Sequence, residues 1–165
     1  VVNLKNLILA VCLVTVAVVA ALRFWPSDER AIRKQIERIE TLGSKASDEK
    51  PVNSLLHARQ LAELFSDPCT LQVESANFQG QYPRKQIQDR IVMLRGSYSQ
   101  ATVSIHDLNI TIAEKERATI RCTLRVMGEG KSQPVADVQE LSAEMRKLKG
   151  DWLLASVTLV EVLER

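Results

Sequence analysis

The chain has 165 residues, of which 45% are apolar, 25% charged and 4% aromatic. That composition fits one domain and excludes both a wholly disordered chain and a polytopic membrane protein. Twenty-two Lys and Arg stand against 20 Asp and Glu, with no long block of like charge, so the basic excess or stripe of a nucleic-acid binder is missing. Two histidines and three scattered cysteines leave too few soft ligands for a structural zinc site. Neither a metal nor a cofactor is expected.

Residues 1–26 read as an address. From Leu7 to Leu22 the sequence LILAVCLVTVAVVAAL is apolar but for Thr15, with Lys5 before it and Arg23, Phe24 and Trp25 after it. A helix of this length rises roughly 24 Å against roughly 30 Å of hydrocarbon. Extended over residues 7–24, with Arg23 snorkelling and Trp25 among the headgroups, it reaches across. A cleaved secretory signal is the main competitor, since Val19 and Ala21 are small enough to flank a cleavage site. Trp25-Pro26 favours an uncleaved anchor.

Orientation is contested. Arg23, Arg30, Arg33 and Lys34 follow the run, which by the positive-inside rule keeps the domain in the cytoplasm. A short basic start followed by one apolar run is, however, how export signals begin. The reading adopted is a single-pass protein of the inner membrane, with residues 27–165 on the periplasmic or extracellular side. Export would permit a disulfide between Cys69 and Cys122; two buried thiols are the plainer expectation.

The domain opens with a helix capped by Ser27 or Asp28, in which Ile32, Ile36, Ile39 and Leu42 form one apolar stripe up to Gly43. SKASDEKPV (44–52) is linker-like. A second helix starts at Asn53 or Ser54, presents Leu55, Leu56, Leu61, Leu64 and Phe65, and ends at Ser66-Asp67-Pro68. Cys69–Val73 reads as a short strand and Phe78–Tyr82 as a hairpin-like excursion. Pro83 opens a third helix, with Ile87, Ile91 and Leu94 inward and Gly96 at its end.

Strands follow. In 102–112, Val103 and Ile105 share one parity while Leu108, Ile110 and Ile112 share the other; a bulge at His106-Asp107 would realign them. The next strand alternates cleanly through Ala118, Ile120, Cys122, Leu124 and Val126. Its partner after Gly128-Glu129-Gly130 is expected in the register Ile120 opposite Leu141, Arg121 opposite Glu140 and Arg117 opposite Glu144. Lys149-Gly150-Asp151 turns into a last strand with apolar residues on both parities. Both its faces should then be covered, one by helices, the other open to a second copy of the chain.

Three helices, a short strand between the second and third, and then long antiparallel strands form a pattern that resembles the nuclear transport factor 2-like superfamily, also called cystatin-like or SnoaL-like. The strand LSAEMRKLKG running into DWLLASVTLVEV is the part most like it. The resemblance spans about residues 28 to 165. It implies an α+β cone, in which three helices pack on a curved antiparallel sheet around a pocket, and often dimers through the outer sheet face. Behind the N-terminal transmembrane helix, the layout also resembles single-span assembly factors of bacterial envelope machines.

Enzymes of that superfamily similar to ketosteroid isomerase use a pocket acid with an oxyanion hole. Asp107 sits at the expected bulge, and as a base it competes with a plain turn residue. His57 and His106 read as surface residues. Phe65, Phe78, Tyr82 and Trp152 would line the pocket with His106 and Asp107, or simply fill the core. No nucleophile elbow or acid–base dyad is legible, so no residue is assigned a catalytic role. The expected function is therefore a membrane-anchored, non-catalytic domain of the cell envelope that binds a protein partner or an apolar small ligand. The alternative is a small-molecule isomerase or cyclase of SnoaL-like type.

Overall fold

The computed structural model describes residues 27–73, 78–130 and 133–161. The expected membrane segment at 7–24 lies outside them. No helix among the described residues is long and apolar enough to cross a membrane.

Helix α1 spans Asp28–Gly43. The Ser27 hydroxyl caps it by accepting the Arg30 amide at 3.3 Å, while Asp28 and Glu29 complement the positive end of its dipole. Its stripe buries Ile32, Ile36 and Leu42 as the spacing predicts. Helix α2 covers Pro51–Ala62, starting earlier than expected because proline suits the first helical turn. Leu55 and Leu56 stay about half exposed; only Ala58, Leu61 and Ala62 of this helix are buried. The chain does not remain helical to Ser66 as expected. Strand β1 already begins at Phe65 and runs to Val73, anchored where Leu154 N donates to Leu64 O at 2.9 Å. Strand β2 is Phe78–Tyr82, and helix α3 is Arg84–Ser97, one residue past Gly96.

Four long strands follow: β3 (Tyr98–Glu114), β4 (Arg117–Gly130), β5 (Pro134–Leu148) and β6 (Asp151–Glu161). They join β1 and β2 in a six-stranded sheet of order β2-β1-β6-β5-β4-β3. The curved sheet is mixed, not wholly antiparallel as expected, because β1 lies parallel beside β6. Parallel neighbours need a long crossover, and here β2, α3 and the β3–β5 meander supply it. Side-chain periodicity carries no sign of strand direction, so the sequence could not show it.

The bulge in β3 is present. Ile105 faces Leu124 and Ile110 faces Ile120, so β3 has one more residue than β4 over that stretch. Asp107 takes a φ of 54° there, a conformation that Asp tolerates better than most side chains. Strand β6 carries a second bulge. Leu154 pairs with Met145 but Ser156 with Glu144, which leaves Ala155 as the extra residue. Trp152, Leu154 and Val157 consequently all meet the same core. Its two apolar parities fall largely on one face, and the pattern does not require a second covering layer.

The β4–β5 register is two residues away from the expected one: Ile120 faces Ala143, Arg121 faces Ser142, and Arg117 faces Arg146. A two-residue slip keeps every side chain on its face, which is why alternation alone could not detect it. The charge pairs that argued for the other register are worth about 0.2–1 kcal/mol each. Packing outweighs them, since the observed register sets Met145 opposite Ala118 and Leu154 at 1% exposure. The expected register would bring Met145 to the level of Glu116, at the hairpin turn.

The main core joins Ile32 and Ile36 of α1 to Ala118, Ile120, Ala143, Met145, Trp152 and Leu154 of the sheet. Met145→Ala should therefore cost about 2–5 kcal/mol in urea unfolding. A loss under about 1 kcal/mol would contradict this register.

Candidate functional site

Beyond that core the helices and the sheet diverge. A cavity of about 400 Å³ opens between them, inside the roughly 300–1,000 Å³ range of small-ligand sites. Ile36, Ile39, Leu61, Ile87 and Ile91 reach it from the helices, and Val103, Leu124, Val126, Leu141 and Leu159 from the sheet. The β6 bulge serves this wall, because without it Leu154 and Leu159 could not share a face, while the β3 bulge brings Ile110 against the main core on the same side as Ile105. Gly43 lets the end of α1 close over β3, where a Cβ would meet Val103 Cγ2 at 3.1 Å.

A second hollow of similar volume adjoins the first and shares Gly43, Leu61, Ile91, Leu94, Val103 and Val126 with it. Lys45, Arg95, Tyr98 and Asp137 form its rim. Arg95 is 5% exposed. Its Nη1 donates to the carbonyls of Leu42, Gly43 and Ser44 at 2.6, 3.1 and 3.1 Å, its Nε donates to Ser54 Oγ at 3.1 Å, and its Nη2 grips both Glu49 oxygens at 2.7 and 2.8 Å. One guanidinium thus ties the end of α1, the 44–50 segment and the start of α2 to the end of α3. Burial pushes the Glu49 carboxyl up, but hydrogen bonds from Arg95, Ser54 and His57 bring it below the ordinary carboxylate value.

The cavity wall carries one thiol, Cys122. Burial, then the negative charge of Glu40, raises it to about 11, so it stays protonated and is a poor nucleophile. Cys69 is also raised to about 11, by burial. Both are free, which answers the question of a disulfide left open by the sequence.

The six residues proposed from sequence for a pocket do not come together. Phe65 lines the apolar cavity. Phe78 is 40% exposed and stacks on Tyr82, whose ring lies under Arg90 at 4.6 Å. Trp152 is buried in the main core, its Nε1 donating to Asp28 Oδ1 at 3.1 Å beside the Lys147–Asp28 ion pair. His106 is exposed and meets Ser104 Oγ at 3.2 Å. Asp107 belongs to a polar groove of about 580 Å³ with Arg121, Thr123, Glu140, Ser142 and Thr158, on the sheet face away from the helices. Its Oδ2 accepts from Thr123 Oγ1 at 3.3 Å. His57 meets Glu49 Oε2 at 3.2 Å.

Sequence reading missed Arg95 and Glu49. A lone Glu in a polar linker and a basic residue in a last helical turn both look like solvated surface, and only the tertiary fold brings them together. Among the described residues, no cluster of three or more His, Cys, Asp or Glu side chains could hold a metal ion.

Neither a protein-family model nor a curated protein matches the chain. Solved structures do. One is a nuclear transport factor 2-like protein with a cystatin-like fold from Novosphingobium aromaticivorans, at a TM-score of 0.60 and 18% identity over 96% of this chain and 89% of that one. The fold is nuclear transport factor 2-like. A candidate scytalone dehydratase from the same organism aligns at a TM-score of 0.67 and 14% identity, over 82% of this chain and 85% of that one. A candidate dehydratase of the nuclear transport factor 2-like family from Streptomyces avermitilis aligns at 0.62 and 12%, over 81% and 95%. At such identities the likeness extends to the fold, while the chemistry rests on this chain's own site.

Glu49→Gln should cost about 3 kcal/mol at neutral pH, because it leaves Arg95 buried without its counter-charge. A carboxyl held below its unfolded value, about 4.3, contributes stability above that value and loses it as pH falls through the folded one. The gap in urea stability between wild type and Glu49→Gln should therefore narrow as pH drops below about 4. A gap under about 1 kcal/mol at neutral pH, or one that is constant with pH, would contradict the Arg95–Glu49 tie.

Proposed function

We propose that the domain is a non-catalytic binding module that takes an apolar small molecule into the cone interior, tethered to the cell envelope by the apolar segment at 7–24. The observation that carries this reading is the cavity wall, which is built mainly from Ile, Leu, Val and Phe side chains, with the Cys122 thiol and, as the one charged residue among the described ones, Arg90. An apolar guest there would replace poorly hydrated surface at about 25 cal/mol per Å². The acid and the histidines that the sequence put forward lie elsewhere: Asp107 and His106 are away from the cavity, and His57 meets Glu49 of the Arg95 cluster.

The candidate dehydratases of like fold favour a second reading, a small-molecule isomerase or dehydratase. Such an enzyme needs an acid or base at its pocket. Glu40 is the carboxylate whose field reaches Cys122 on the wall, and its Oε1 already accepts the Ile105 amide at 2.6 Å.

Residues 27–165 produced alone should melt cooperatively and saturate with the neutral fluorophore N-phenyl-1-naphthylamine at one site. Val126→Trp, which fills the cavity, should weaken that binding at least tenfold, and Arg121→Ala on the opposite face should leave it within twofold. Absence of saturable binding by a cooperatively folded domain would overturn the binding reading. Turnover of a small hydroxylated substrate that is lost in Glu40→Gln would favour the enzyme.

A further inference from the structure

We propose that the guest is an anionic single-chain amphiphile, its chain in the apolar cavity and its charged head at Lys45; this rests on the binding reading above and specifies its ligand. The ammonium of Lys45 lines the rim hollow. It donates to the carbonyls of Arg95 at 2.9 Å and Tyr98 at 2.6 Å, which leaves the third of its donors. Its backbone is fixed by a two-way bridge to Ala101, with N–O distances of 2.7 and 3.0 Å. Lys45 is therefore held at the rim from both ends, unlike a lysine swinging on the surface.

The charges around it set the sign. Arg95 is neutralised by Glu49, while among the described residues no carboxylate lies within salt-bridge distance of Lys45. Asp137 shares the rim but accepts from Gln139 Nε2 at 3.0 Å and is exposed. Arg90 adds a second cation on the adjoining wall, over the Tyr82 ring, with no acid among the described residues paired to it. Lys45, Arg90 and Arg95 thus stand against Glu49 and Asp137, an excess of one positive charge over the rim and wall of an otherwise apolar cavity. Carbonyls satisfy the hydrogen bonds of Lys45 without cancelling its charge. A carboxylate or phosphate head would do so in a partly buried site, where charge-assisted hydrogen bonds are strong.

A free fatty acid and a lysophosphatidic acid share this chemistry. The test uses the full chain in phosphatidylcholine nanodiscs, photolabelled with a mid-chain diazirine analogue of lauric acid and, separately, with the matched alcohol; peptide mass spectrometry locates the label. Label should fall on the helix α3 and β4 segments that hold Ile91 and Val126. Laurate should suppress labelling at least tenfold more effectively than 1-dodecanol. Lys45→Gln should erase that preference while leaving competition by the alcohol unchanged, and Lys45→Arg should keep it. Lauroyl lysophosphatidic acid outcompeting laurate would assign the head to a phosphate, and the reverse would assign it to a carboxylate; either ranking supports the proposal. Equal competition by laurate and dodecanol in the wild type would overturn the anionic head and leave the apolar cavity standing. Absence of label from the cavity segments with both probes would overturn the binding reading itself.

Discussion

A β-strand places every second side chain on the same face, yet β3 and β6 distribute their apolar residues over both parities. One extra residue in each, at the Asp107 bulge and at Ala155, brings the two sets together on the helix side. The main core depends on the first of these phase changes, which sets Ile110 beside Ile105, and the cavity wall on the second, for Leu154 and Leu159 could not otherwise share a surface. The same shift leaves the opposite face of the sheet to Arg121, Thr123, Glu140, Ser142 and Thr158. One local irregularity per strand thus separates an apolar interior from a polar exterior.

The helices need a tie of a different kind. Only part of α2 is apolar enough to bury, and its Leu55 and Leu56 remain half exposed. What fixes its start is Arg95, which reaches from the end of α3 to the last carbonyls of α1, to Glu49 and to Ser54. A buried charge without a partner is costly, so this arrangement allows one spacing of the three helices. At the far end of α1, Asp28 accepts both Lys147 and Trp152, and Gln35 Nε2 donates to Trp152 O at 2.9 Å. Polar contacts therefore hold α1 at both ends while Ile32 and Ile36 pack between them. The unfilled space lies beside α1, between Leu61 of α2, Ile87 and Ile91 of α3 and the sheet.

Elements defined by local pattern were legible in the sequence. The α1 stripe, the Asp107 bulge, the β4 alternation and the Lys149-Gly150 turn, with φ of 52° and 95°, all follow from spacing and turn chemistry. Relations between distant segments were not. The parallel β1–β6 pair, the two-residue slip of β4 on β5 and the Arg95–Glu49 contact leave no trace in periodicity, because each preserves the pattern on which sequence reading relies. The candidate site suffered most. Aromatic residues suggested a pocket, but Trp152 fills the core and Phe78 stays at the β2 edge, while aliphatic side chains indistinguishable from ordinary core residues line the cavity.

The central claim is that those aliphatic walls enclose space instead of closing on each other. Diffraction from crystals of the protein under xenon pressure tests it most directly, since xenon enters dry apolar cavities. Ordered xenon between Leu61, Ile91, Val126 and Leu159 is the predicted result. A xenon-free interior in which Phe65 and Leu94 have moved in to fill the volume would contradict it.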